Sequence, residues 1–466
     1  MAESLDILIG DHLVGVLELG PGAELRFTYD AAWLDRPEAT PLSLSMPLRP
    51  GSFDHATVHP YLWGLLPDNE AVIERWARTY QCSASNVFAL LANVGADVAG
   101  AAQYLRPGSV VEEAAPVTYE RLGDDDVAGL LREVRQDATA WHPGRDQGRW
   151  SLAGAQAKIA LAHDAERGWS IPHGRAPTTH ILKPAIRHLD DHDLNELLCI
   201  RAASELGLVT ESASLGHFGD ERALVLTRYD RTIVDGQIVR LHQEDFCQAL
   251  GVHPSRKYEN EGGPTVSQMV SVLRDHSTSE LTDVRRLVEA VAFNWLILGS
   301  DAHAKNYSLL LSSRRVRLAP LYDLGSMAPY ADFAAKVKLS HKVGGTYRAG
   351  AIGEAHWRRF ASAVGVDADE LLTWIADVAG RLPGALETVV DALDLVGDER
   401  SAAVHQVAAI TRWVTLAALS VGGPARTRSK VSTPPRSVER HPAGTPRGGR
   451  FAARSPGAAT TDDDLA

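Results

Sequence analysis

Between Gly299 and Leu311 the chain reads GSDAHAKNYSLLL, which sets an acid, an imidazole, an amine and a carboxamide at Asp301, His303, Lys305 and Asn306. Asp301 and Asn306 stand in the D-x-x-x-x-N spacing of a phosphotransferase catalytic loop. There the acid accepts a hydroxyl proton and the carboxamide holds a magnesium ion. That spacing alone is a weak signal, because chance produces it in a chain of this length. Further on, Tyr322-Asp323-Leu324-Gly325 has the form of a D-F-G segment, whose acid carries the metal bridging the terminal phosphates. Two carboxylates and a carboxamide converging on one Mg²⁺-nucleotide would suit phosphoryl transfer, where catalysis is mostly positioning and charge neutralisation. Magnesium prefers such hard oxygen ligands. His303 and Lys305 would then supply charge to phosphates or orient Asp301. Two other readings stay open for this stretch. One is a polar turn after the helical FNWLILGS. The other is a metallohydrolase site, which needs more ligands at short spacing than the unpatterned His341 and His356 provide.

A phosphotransferase of this kind also needs a cation on a strand and a helix acid to hold it. THILKP supplies Lys183 at the end of an apolar strand, and Glu196 follows in a helix. SLAGAQAKIAL gathers Ser151, Ala153, Gly154 and Ala155 before another strand. A turn with little side-chain bulk lets backbone N–H groups approach phosphates. It is not a Walker A loop, and a tight hairpin turn is the competing reading. LTRYDR ends a strand where a nucleotide hinge would fall, at Thr227 to Tyr229. Each of these also has an ordinary reading: a strand-end lysine, a solvated helix glutamate, a charged turn.

The elements that must hold these residues can be read from periodicity. LDILIGDHLVGVLEL alternates around Gly10-Asp11 and predicts a hairpin, with ELRFTYDAAWL as a third strand. Residues 61–95 read as helices, with Pro67 and its following acids at one start and Ser83 or Ser85 as a cap. This small α+β domain spans 1–105. Residues 106–149 read as a linker, RPGSVVEEAAPV, and a helix in YERLGDDDVAGLLREVRQ. From 150 the chain is strand-rich, with a helix in DLNELLCIRAASELGL and then strands RALVLTRYD and QIVRLH joined through Asp235-Gly236. After Glu244 it turns helical to about Leu419, except for a hairpin around Ser312-Ser313. Strands first and helices after predict an α+β unit over 150–420, a small β-rich lobe beside a large helical one, rather than a doubly wound sheet.

Composition narrows the class. Of 466 residues 45% are apolar, enough for a full core. No run reaches the ~18 uncharged apolar residues of a membrane span, and the N-terminus lacks a signal-type pattern. We therefore expect a cytoplasmic protein with no membrane contact. Cys82, Cys199 and Cys247 are widely spaced and read as free thiols. Net charge is −12 and unevenly spread: beyond residue 422 eight basic residues face four acidic ones, so the body is more acidic than the whole. An acidic body argues against direct non-specific binding to nucleic acid, which needs cations for the phosphates. Residues 423–466, rich in Pro, Gly, Arg and Ser, read as a disordered tail with no role of its own.

Taken together, SLAGAQAKIAL, PTTHILKP, NELLCIRAASELGL, LTRYDR, QEDFCQALG, KYENEGGP, GSDAHAKNYS and LAPLYDLGS resemble, in order, the signatures of the HipA-type serine/threonine kinase toxins. PLSLSMPLR and LWGLLPDNE resemble that family's N-terminal domain, so the likeness runs from about residue 5 to 420. It implies a bilobal, protein-kinase-like fold of the phosphoinositide-kinase/HipA branch, acting on ATP with Mg²⁺. By this resemblance Asp301 is the proton acceptor, and His303, Ala304, Lys305, Asn306, Tyr322, Asp323, Leu324 and Gly325 line the nucleotide site. Asn306 and Asp323 would be the metal ligands. Ala153, Gly154, Ala155, Gln156, Ala157 and Lys158 would form the phosphate loop, Lys183 would bind phosphates with Glu196 as its ion-pair partner, and Thr227, Arg228 and Tyr229 would be the hinge. Ser151 falls where relatives autophosphorylate. A phosphate there adds a charge of about −1.5 to −2 beside a site built for nucleotide phosphates, which would evict the loop. The implied partners are a small HipB-like helix-turn-helix antitoxin, operator DNA mainly through that antitoxin, and a protein substrate such as an aminoacyl-tRNA synthetase. The chain departs from the pattern at Thr227, where relatives often carry an acid, and beyond Gly422, where no counterpart is recognised. Two alternatives to an active toxin remain: a small-molecule or lipid phosphotransferase, and a catalytically silent co-repressor that binds a DNA-binding partner.

Overall fold

The computed structural model describes residues 3–108, 118–141 and 150–422; the tail expected over 423–466 and most of the expected linker lie outside the described residues. Near the N-terminus, strands Glu3–Ile9 and His12–Leu19 form the expected hairpin, turned by Gly10 in the left-handed region (φ 60°). They belong to a five-stranded antiparallel sheet in the order Ser52–Phe53, Leu25–Tyr29, His12–Leu19, Glu3–Ile9, Ala102–Leu105. Its inward residues, Leu5, Ile7, Leu17 and Phe27, pack on Leu62, Trp76 and Leu91 of three helices, His55–Gly64, Glu70–Tyr80 and Val87–Val94. Asparagines cap the second and third of these helices; for the third, Ser83 or Ser85 was expected. Asn69 Oδ1 accepts from the Ala71 N–H at 3.0 Å, and Asn86 Oδ1 from Ala89 at 3.1 Å. Because the second helix starts only at Glu70, Pro67 and Asp68 lie in the turn before it.

The small lobe is a six-stranded antiparallel sheet in the order Ser212–Phe218, Glu221–Thr227, His180–Lys183, Ile159–Asp164, Gly168–His173, Thr118–Arg121. Helix Asp124–Gln136 covers it, seating Val127 and Leu131 among Ile159, Leu161, Leu182 and Val225. Here the expectation needs correcting, since Tyr119 to Arg121 are not helical but lie in the sheet's edge strand, so residues 118–141 are part of this lobe. The ribbon turned at Asp235-Gly236 joins Arg231–Val234 to Gln237–Arg240. RALVLTRYD pairs elsewhere: its strand continues to Thr227 beside His180–Lys183.

Helix His192–Glu205 is buried along most of its length and joins the lobes. The helical lobe packs Val266–His276, Glu280–Leu296, Glu354–Val364, Ala368–Ala392 and Glu399–Ser420 around Trp295, Trp357 and Phe360. A second ribbon, Lys338–Val343 with Thr346–Arg348, interrupts the stretch read as helical. Among the described residues one helix, Glu399–Ser420, is long and apolar enough to cross a membrane. In this fold its Ala403, Ile410, Trp413 and Val414 are core residues, and Trp413 Nε1 donates to the Trp295 carbonyl at 2.8 Å. All three cysteines are free. The architecture is the expected α+β, bilobal, kinase-like one.

Candidate active site

The apolar helix Glu280–Leu296 delivers the candidate catalytic loop, residues 299–306. Leu298 then takes a left-handed conformation (φ 58°), and a side chain at Gly299 would lie 2.5 Å from Asn294 Oδ1. The chain thus reverses sharply beneath the cleft. Asn306 closes the loop on itself: its Nδ2 donates to the Asp301 carbonyl at 2.9 Å and to Asp323 Oδ2 at 3.2 Å. The hairpin Ser308–Leu311/Val316–Leu318 brings the second segment back, and Tyr322 Oη donates to the Lys305 carbonyl at 2.6 Å. Asp323 is itself left-handed (φ 57°), a conformation that costs a non-glycine residue energy and that gathers at functional sites. Asp301 is accessible to solvent at the cleft mouth, and Tyr258 Oη donates to its Oδ1 at 2.6 Å. Protein packed around it nevertheless holds its carboxyl above the usual carboxylate range.

Lys183, at the end of its strand, reaches Glu196 Oε1 at 2.7 Å and Asp323 Oδ1 at 2.8 Å. Burial works against its charge, but the carboxylates of Asp323 and Glu196 outweigh that and keep it protonated. Asp323 is likewise held well below the carboxylate range, burial being outweighed by Lys183. Glu196, 1% exposed, keeps one oxygen without a hydrogen-bond partner, and burial pushes its carboxyl up. The expected cation–helix acid pair is therefore present and shares its cation with the D-L-G aspartate.

The candidate phosphate loop, residues 153–158, folds inward. Lys158 Nζ donates to the Ala153 carbonyl at 2.7 Å, and burial followed by the nearby Lys183 lowers its pKa to about 8. Gly154 sits at φ 107°, where a Cβ would meet Lys158 Nζ at 2.7 Å. Gln156 Nε2 donates to the Pro184 carbonyl at 3.4 Å. Ser151 is fully buried, its Oγ donating to the Leu65 carbonyl at 2.7 Å.

Two spaces meet at the loop. An outer cleft of about 670 Å³ is lined by Gly154 to Ala157, Asp301, Asn306 and Asp323. An inner pocket of about 140 Å³ is lined by Ile181, Leu226, Tyr229, Tyr322, Lys183 and Asp323. The Tyr229 and Tyr322 rings stack there at 5.7 Å. Of the expected hinge, Thr227 is exposed and Tyr229 is half-buried. The Arg228 guanidinium is taken up by Asp97, Asp230, Thr178 and the Val98 carbonyl, so its side chain braces the hinge.

Two expected charges are not free for phosphates. Burial, then Lys257, lowers the His303 pKa to about 3, so its ring is neutral. Lys305 is paired with Asp68 at 2.5 Å. Asp68, Lys257 and Tyr258 carried no individual role in the sequence reading. Their segments LWGLLPDNE and KYENEGGP stood out, but nothing in either placed one on the catalytic loop. Glu211 was missed outright. It lines the inner pocket with burial raising its pKa to about 8. Among the described residues no three His, Cys, Asp or Glu side chains group as metal ligands. The hard oxygens of Asn306 and Asp323 are of the donor type that would hold a magnesium ion, which would supply charge neutralisation beside the cleft.

Residues 5–105 match the HipA N-terminal domain and residues 150–386 the HipA-like C-terminal domain. The serine/threonine-protein kinase toxin HipA of Shewanella oneidensis is 28% identical over 421 residues, covering 86% of this chain and 93% of that protein. A candidate kinase of Sinorhizobium fredii, Y4mE, is 36% identical over 367 residues, covering 78% of this chain and 86% of that one. In structure, the chain is similar to one from the Shewanella oneidensis complex of HipA, HipB and operator DNA, with a TM-score of 0.77 and 25% identity over 89% of this chain and 97% of that one. The fold, the ordered site and these likenesses agree: the chain belongs to the HipA family.

Proposed function

We propose that this protein is an ATP-dependent serine/threonine protein kinase and the toxin of a toxin–antitoxin pair. The observation that carries the reading is the convergence of Lys183, Asn306 and Asp323 beside an accessible Asp301, under a loop of small residues. In this reading Lys183 orients the nucleotide phosphates and Asp301 takes the proton of the acceptor hydroxyl. Magnesium held by Asn306 and Asp323 would neutralise charge on the phosphates. The base lies in the inner pocket against the Thr227–Tyr229 hinge. Relatives named as a kinase toxin and as part of a complex with HipB and operator DNA support a small DNA-binding antitoxin as partner, with DNA reached mainly through it. We further propose a cytoplasmic site of action and a translation enzyme such as an aminoacyl-tRNA synthetase as target. Autophosphorylation at Ser151 would be self-limiting. Since Ser151 is fully buried, the loop must leave its seat before that hydroxyl can react, and a phosphate would not fit back.

The test is incubation of the purified protein with Mg²⁺ and labelled ATP beside Asp301→Gln, with the labelled residue mapped by mass spectrometry. Label on Ser151 in the wild type alone is the expected result. Absence of label in both, with no nucleotide binding to the dephosphorylated protein, would sink the kinase reading and leave the binding-module one.

A further inference from the structure

The turn Leu65–Asn69 of the N-terminal domain lies against the phosphate loop. The Asp68 N–H donates to the Gly154 carbonyl at 2.9 Å, Pro67 bridges Gly154, and Ser151 Oγ bonds Leu65. The Asp68 carboxylate reaches the other way. Its Oδ1 pairs with Lys305 Nζ at 2.5 Å and its Oδ2 with Lys257 Nζ at 2.7 Å. Lys305 lies inside the catalytic loop, between Asp301 and Asn306, and Lys257 precedes the tyrosine that bonds Asp301. The side chains are enclosed, with Lys305 3% exposed and Asp68 and Lys257 13% each. Asp68 borders both the outer cleft and the inner pocket.

An enclosed cation that loses its partner is costly and seeks another. For Lys305 the other acid at hand is the buried Asp245, but for Lys257 it is Asp301, whose carboxyl already feels that ammonium and whose neighbour Tyr258 follows Lys257 directly. We infer that Asp68 is a positioning residue for phosphotransfer: it fastens the phosphate loop to the catalytic loop and keeps the ammonium group of Lys257 off Asp301. The inference rests on the kinase reading above. It makes the N-terminal domain part of the site, because one of its side chains sets two charges inside the cleft.

The experiment compares the full chain with Asp68→Asn, which keeps the shape and the backbone bond but removes the charge. Two readouts are taken: steady-state kinetics with ATP, and hydrogen exchange of the amides of residues 151–158 without nucleotide. In Asp68→Asn, kcat falls about tenfold or more while KM for ATP stays within about threefold, and the loop amides exchange faster. Adding Lys257→Met to Asp68→Asn regains about threefold in kcat, because the stray cation is gone. Wild-type kcat and wild-type exchange in Asp68→Asn would overturn the inference, as would losses for the two substitutions that simply add. If Asp68→Asn does not fold, the double variant stands in: kcat about threefold below wild type with a faster-exchanging loop supports the inference, and parity with wild type rejects it. A wild type that transfers no phosphate fails the kinase reading instead. The exchange data then judge the fastening of the loop alone, faster exchange supporting it and unchanged exchange rejecting it.

Discussion

Lys183 shows how one side chain can serve two segments. Its ammonium lies between Glu196 on the lobe-joining helix and Asp323 on the returning loop, and no other described cation reaches both by an ion pair. If the proposed function holds, Lys183→Met should reduce phosphotransfer by ~10²-fold or more, because the charge assigned there to the phosphates and the tether on Asp323 go together. Labelled-ATP transfer to a protein substrate measures this, and activity within threefold of wild type would count against the assignment. Glu244 gives a different kind of test. It is 1% exposed, it accepts from the Ser43 hydroxyl and the Leu44 N–H, and burial raises its pKa to about 8. A carboxyl whose folded pKa lies above its unfolded one stabilises fully below the unfolded value, and that stability is lost as pH rises through the folded one. The wild type should therefore lose stability between about pH 5 and 8, and Glu244→Gln should lose less by about 1 kcal/mol per pH unit within that window, the difference levelling off above it. Glu211, raised to the same value, keeps part of the slope in both proteins. Melting temperatures across that range decide the matter, and identical slopes would refute it.

Among the elements, the phosphate loop depends most on backbone conformation. Gly154→Ala places a methyl group against Lys158 Nζ at a φ that side chains rarely adopt. With strain of ~1–3 kcal/mol confined to this loop, KM for ATP should rise about tenfold while the melting temperature moves by only a few degrees. Unchanged ATP affinity would show that the loop does not hold phosphates. The loop's small residues were legible in the sequence, as were Lys183, Glu196, Asp301, Asn306 and Asp323, because chemistry fixes their type and local spacing. The first hairpin was legible because period-2 alternation meets a glycine that needs a positive φ. Strand Ser212–Phe218 was not, since its burial does not alternate cleanly along GHF. Nor was the edge strand Thr118–Arg121, a solvated element whose residues carry no apolar stripe. Asp68 escaped for a deeper reason: its partners lie about two hundred positions away, at Lys257 and Lys305, and no local pattern records such a pairing.

At the scale of the whole molecule, the N-terminal domain and the kinase-like body meet through buried charge. Asp97 accepts from Arg231 at 2.8 Å, Arg240 at 3.0 Å and Arg228 at 3.3 Å, and from the Thr178 N–H and hydroxyl. Burial would push its carboxyl up, but the guanidinium groups of Arg231, Arg240 and Arg228 hold it well below the usual range. Arg228 lines the inner pocket on one side, and the Ser151 N–H bonds the Asp97 carbonyl beside the loop that lines it on another, so one residue of the N-terminal domain braces both rims of that pocket. Removing a partner from such a cluster leaves guanidinium charge buried with Asp230 alone, which costs about 3–5 kcal/mol. Asp97→Asn should lower stability by that much at pH 7. The sign of its pH dependence is fixed as well. A carboxyl with a depressed folded pKa stabilises above its unfolded pKa and loses that contribution as pH falls toward the folded value. The gap between wild type and Asp97→Asn should therefore be widest above about pH 5 and close on acidification. Calorimetry adds a second reading: a single transition in the wild type should split in the variant as the N-terminal domain uncouples from the body. A gap that persists at pH 2, or an unsplit transition at unchanged temperature, would mean that the domains are joined by their apolar contacts and that the charges only set their register.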